Sequence, residues 1–132
     1  MAIRAILSLF GLFHLVNGLW MLLAPDFWFS AIPGVTATGP LNYHFVADIG
    51  LAFIASGAGF LVGARHGPAA GAFAIAGATW PALHALFHLS LWLRHGFPDT
   101  PALMASEYIG VFALSAAGLW VALVHARKEG TL

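Results

Sequence analysis

Apolar residues run through this chain in four long stretches, roughly Ala2–Leu23, Leu41–Ala64, Pro68–Leu93 and Pro101–His125. Each is long enough for a helix that crosses a bilayer, which needs about 20 mostly apolar residues. Turn-forming residues separate them: Pro25-Asp26, Pro33-Gly34 and Gly39-Pro40, then Arg65-His66-Gly67-Pro68, then His95 through Pro101. Asp99 and Thr100 ahead of Pro101 form a helix-start signal, with proline at the first helical position. The first run is read as a retained span, because it exceeds the roughly 7–15 apolar residues of a signal peptide and no A-x-A site follows. The pattern predicts an all-α integral membrane four-helix bundle, a single transmembrane domain over residues 1–132.

Composition supports a lipid environment. Lys and Arg number five, Asp and Glu five, 61% of residues are hydrophobic, and mean hydropathy is +0.89. Soluble domains carry about a quarter charged residues. Zero net charge offers no basic surface for a phosphate backbone, so nucleic acid is not an expected partner. The absence of cysteine removes disulfides, iron–sulfur clusters, thiolate zinc sites and cysteine nucleophiles. Seven histidines are the one over-supplied residue type.

Basic residues near span ends set the expected orientation. Arg4, Arg65, Arg127 and Lys128 fall on one side of an even-numbered bundle and Arg94 on the other, so both termini are expected to be cytoplasmic. Trp28, Tyr43 and Trp92 near the outer ends and Trp120 near the inner end fit an aromatic belt, whereas Trp80 lies deep and reads as packing. Phe27, Trp28 and Phe29 are expected to form a membrane-surface segment over the outer mouth of the bundle.

The candidate chemistry lies inside the spans. Asp48 and Glu107 are the formally charged residues away from span ends, and such groups are costly in hydrocarbon unless paired or protonated. His14, His44, His84 and His88 share those spans. At 1.5 Å per residue, Asn17, Asp48, His88 and Glu107 lie about 9–12 Å below the outer ends, His14 and His84 about 16–18 Å, and His44 about 5 Å. His44 with Asp48, and His84 with His88, are spaced i,i+4 and project from one face each. Small residues continue those faces: Ala55, Gly59 and Gly63 beyond the first pair, Ala70 and Gly77 before the second, with Gly18 near His14 and Gly118 near Glu107. Small residues mark helix contacts in membranes, so the polar groups are expected to converge in the bundle interior. Pro81 cannot donate to the Gly77 carbonyl and is expected to kink the third span.

Imidazoles and carboxylates without thiolates favour Fe, Mn, Zn or Cu(II). The expected first shell is Asp48, His84, His88 and Glu107, with Asp48 and Glu107 as the catalytic acids and His14 and His44 as further cofactor ligands. Such a metal ion would support redox or metal-dependent chemistry on a lipid-soluble or periplasmic substrate. One alternative is haem b, held by His14 with His84 or His44 with His88. Another is a cofactor-free proton relay acting on a quinone or similar substrate, within a membrane oxidoreductase completed by a partner membrane subunit. A fourth is a structural subunit whose polar layer fixes helix register.

Arg4, Leu7, Gly18 and Pro25 in and after the first span, followed by a short loop and Asp48-Ile49-Gly50, resemble the DoxX-like superfamily of small four-helix bacterial membrane proteins. The likeness covers the whole chain in architecture. It implies a setting in a bacterial inner membrane and an association with membrane oxidoreductase assemblies, including thiosulfate-to-quinone electron transfer. Asn42-Tyr43-His44 and the His84/His88 pair depart from the general pattern, so the resemblance assigns no role to an individual residue.

Overall fold

A computed structural model describes residues 1–132. It contains helices and no strands: α1 (Ala2–Leu23), α2 (Pro25–Ala31), α3 (Tyr43–Gly63), α4 (Ala70–His95) and α5 (Pro101–Lys128), with a 3-10 turn at Val35–Thr38. Helices α1, α3, α4 and α5 are long and apolar enough to cross a membrane, as a multi-pass membrane protein requires. The first span matches its sequence bounds, the fourth starts at the expected Pro101, and the remaining ends differ by one to three residues. Local chemistry explains the starts. Asn42 accepts from the Phe45 amide and caps α3 at 3.1 Å, and the Thr100 side chain caps α5 ahead of Pro101.

The helices run alternately up and down. Packing follows chain order, α1 on α3, α3 on α4 and α4 on α5, and a narrower α1–α5 contact closes the bundle. Glycines determine how closely they approach. A Cβ on Gly18 would stand 2.5 Å from the Gly50 carbonyl oxygen, and one on Gly77 would stand 2.5 Å from the Phe60 amide nitrogen. Only backbone on backbone fits at these crossings, the close-packing device of membrane helices.

Only 25 of 132 residues are buried, and large side chains such as Leu9, Val16, Leu51, Leu83 and Ile109 face outward. That surface suits an acyl-chain solvent rather than water. The packed apolar core comprises Leu7, Phe60, Ala74, Ala78, Val121 and Ala122, all in the half that holds both termini. Every polar residue singled out within the spans lies in the other half, the loop end, where residues 24–42 and 96–100 connect the helices.

Two features shape the loop end. Helix α2 folds back onto α1 through a bond from Trp28 Nε1 to Asn17 Oδ1 at 3.2 Å, and Tyr43 donates its hydroxyl to Asp26 at 2.7 Å. Gly34, at φ 89°, turns the loop so that its backbone lies against Leu103 of α5. The segment containing Phe27, Trp28 and Phe29 therefore packs on α1 and α3 at the loop end, and the turn after it reaches α5. Trp28 is thereby a tether into the bundle. The second feature is a π-helical stretch, Ala105–Ala113, within α5. Wide turns of this kind occur frequently at functional sites, and this one carries Glu107. Helix α4, by contrast, continues unbroken through Pro81.

Candidate functional site: a part-buried carboxylate–imidazole pair

Spacing on α4 builds one side of the site. His84, His88 and Trp92 recur every four residues and share a face. Opposite them, the π stretch of α5 presents Glu107. Glu107 Oε2 lies 2.5 Å from His88 Nδ1 and 3.1 Å from Trp92 Nε1. With Glu107 ionised, both nitrogens donate to it, and one carboxylate oxygen ties two turns of α4 to α5. The His88 and Glu107 side chains are 20% and 17% exposed, so this polar pair is largely withdrawn from the surface. Trp92 packs edge-on to Tyr108, with ring centroids 5.2 Å apart, and Tyr108 donates to the Pro98 carbonyl at 3.1 Å. These contacts fix the indole that donates to Glu107.

The histidines continue the line inward. The His84 ring meets His88 edge-on at 4.5 Å between centroids and stacks on Trp80 at 4.9 Å with 11° between planes. His14 is 4% exposed and directs Nδ1 at the Phe10 carbonyl oxygen, 2.8 Å away. That bond places the proton on Nδ1 and leaves Nε2 as an acceptor. His14, His84 and Ser115 line one small cavity of about 50 Å3. It has room for a few water molecules at most.

Asp48 and His44 stand elsewhere. Their side chains are 57% and 89% exposed and pair with each other at 3.4 Å. The expected convergence of all six residues is therefore corrected: His84, His88 and Glu107 come together, with His14 across the small cavity, while Asp48 and His44 do not join them. The reason lies in the glycines of α3. Gly50 and Gly57 face α1, and Gly59 and Gly63 bring α3 against α4 only in the terminal half. Toward the loop end the Asp48 face of α3 emerges at the surface. No group of three or more histidine and acidic side chains stands where it could hold a metal ion, so the shell of Asp48, His84, His88 and Glu107 is not assembled.

Sequence reasoning placed Trp92 in the aromatic belt and missed its bond to Glu107. Its i,i+4 spacing from His88 was the available signal. His125, at the end of the fourth apolar run, is 3% exposed and its Nε2 has no hydrogen-bond partner.

Neither a family model, nor a curated protein sequence, nor a solved structure matches this chain.

Proposed function

We propose that this chain is a multi-pass membrane protein whose interior handles a proton for a lipid-soluble substrate. The part-buried Glu107–His88 hydrogen bond is the observation that carries this reading. Glu107 fixes the imidazole with its proton on Nδ1, so Nε2 is the basic nitrogen. A proton taken up at Nε2 yields an imidazolium beside a carboxylate. This is the arrangement by which a carboxylate orients and supports a catalytic histidine. His84 and His14 extend the path away from Glu107 through the small cavity. Glu107, His88, His84 and His14 supply the chain's acid–base groups. In a membrane oxidoreductase the chain would therefore manage the proton of a quinone-like or other hydroxyl- or carbonyl-bearing substrate, while a partner subunit manages the electrons. The reading keeps the bacterial inner-membrane setting that the DoxX-like resemblance implies and the cytoplasmic termini expected from the basic residues near the span ends.

One observation favours a second reading. A histidine whose Nδ1 is held by a carboxylate is also how metal ligands are commonly oriented. His88 and His84 could then ligate Fe, Mn, Zn or Cu if a partner or substrate supplied the missing donors.

A single preparation separates the two. Purified protein in nanodiscs is titrated with a decyl-substituted benzoquinone and, in parallel, analysed for metals. The proton-handling reading predicts saturable binding that weakens about tenfold in His84→Ala and His88→Ala, the scale of one lost hydrogen bond to a charged group. Equal binding by parent and variants, or none by either, overturns it. Stoichiometric metal that disappears in the same variants establishes the second reading instead.

A further inference from the structure

The seam between α3 and α4 is open to the side. Ala52, Ala55 and Gly59 from α3 and Phe73, Ala76 and Trp80 from α4 line a lateral groove of about 480 Å3. That volume falls within the roughly 300–1,000 Å3 of small-molecule sites. A groove of small side chains on a bundle surface would by itself hold any acyl chain. Two further features make this one specific.

The first is at its loop end. Positions 48, 52, 55 and 59 stay within about 40° of one line along a helix of 3.6 residues per turn, so Asp48 extends the floor of the groove by one turn. Asp48 is half-exposed, and its one partner, His44, is 3.4 Å away. That exceeds the about 2.7–3.2 Å of an N–H···O bond, so the carboxylate keeps open acceptor positions. A carboxylate on the outward face of a span is costly without a donor. The second feature is the wall. Trp80 packs edge-on to Phe53 at 4.7 Å and stacks on His84, so the indole separates the groove from the interior cavity, which it also lines. A chain lying in the groove stays on the lipid side of that indole.

We propose that this groove binds a single-chain amphiphile with an ammonium head, the head at Asp48 and the apolar chain along Ala52, Ala55 and Gly59 toward Phe73. Charge complementarity selects the head: a cation donates to the carboxylate and neutralises it, which a neutral acyl chain cannot do. The floor from Asp48 to Gly59 is about 16 Å long at 1.5 Å per residue, which accommodates an extended alkyl chain. This site is separate from the Glu107–His88 pair and does not depend on the function proposed for it.

The test uses the full chain in nanodiscs of zwitterionic lipid, labelled with photoactivatable hexadecylamine and, as control, with the corresponding hexadecane. The amine should label saturably, with adducts mapping to residues 52–62 and 73–80, and the alkane should not saturate. Asp48→Asn should weaken labelling about tenfold, as expected for one charge-assisted hydrogen bond. Ala55→Trp should abolish it by filling the floor. If that variant does not assemble, Asp48→Asn carries the comparison alone. Labelling spread evenly over all outward faces, or unchanged in Asp48→Asn, overturns the proposal. So does a second copy in the groove: because the chain has no cysteine, a disulfide-linked pair formed by Ala55→Cys would report it directly.

Discussion

Removing the Glu107 carboxylate strands two donors, and the cost can be worked from their surroundings. In Glu107→Ala both His88 Nδ1 and Trp92 Nε1 lose their acceptor. By the scale of soluble proteins, each buried unsatisfied donor costs about 1–3 kcal/mol, or about 2–6 kcal/mol for the pair. In a bilayer the separated helices find other partners, and interhelical hydrogen bonds average about 0.6 kcal/mol with a maximum near 1.7. The second scale governs here, because the site lies inside the membrane-spanning bundle and is partly exposed. We expect Glu107→Ala to lose about 1–3 kcal/mol. Glu107→Gln keeps the volume and a carbonyl acceptor, so it should lose less than about 1 kcal/mol. Trp92→Phe removes one of the two bonds and should fall between them. In the double variant Glu107→Ala/Trp92→Phe, the two losses should not add, because both remove the same bond. The assay is unfolding in mixed micelles at increasing dodecyl sulfate, followed by circular dichroism. Glu107→Ala as stable as the parent, or Glu107→Gln as damaging as Glu107→Ala, would refute the reasoning.

Other consequences are equally specific. Gly77→Ala forces a Cβ to within 2.5 Å of the Phe60 amide nitrogen and 2.9 Å of the Ser56 carbonyl oxygen, so the α3–α4 crossing must widen. The same unfolding assay should show a loss of about 1–3 kcal/mol, whereas Gly110→Ala, whose Cβ would meet the Ala105 carbonyl oxygen at an unstrained 3.9 Å, should show little. Trp28→Phe removes the tether to Asn17 and should speed proteolysis in the segment 24–42 without altering the span helices. Limited digestion with mass mapping reads this, and an unchanged rate would show that the Tyr43–Asp26 bond and the apolar contacts of α2 hold it without the Trp28–Asn17 bond. A reporter fused after Leu132 should be active in the cytoplasm, following four basic residues against one. Activity restricted to the periplasm would reverse the orientation.

Much of the architecture was readable because lipid imposes a simple rule: every backbone polar group must be satisfied within its own helix. Apolar length and turn residues therefore located all four spans, and Thr100-Pro101 marked the start of α5. The level of the polar residues was legible too, since depth follows from residue count. Facing was only half legible. The i,i+4 rule correctly grouped His84 with His88 and His44 with Asp48, but it cannot say which neighbour a face meets. That depended on which glycines of α3 contact α1 and which contact α4, a tertiary outcome with several near-equal solutions in a stripe so rich in small residues. Asp48 consequently emerges at the surface. The π stretch around Glu107 was invisible for a different reason: it changes helical phase locally, and nothing in the composition of Ala105–Ala113 announces it.

The central claim is that Glu107 holds the His88 ring through Nδ1 inside the bundle. Nitrogen-15 NMR of histidine-labelled protein in bilayers tests it most directly. The account predicts one imidazole with a strongly hydrogen-bonded Nδ1–H, whose signal is absent in His88→Ala, shifted in Glu107→Gln and undisturbed by Asp48→Asn. A His88 signal that ignores Glu107→Gln, or that matches the exposed histidines, would contradict it.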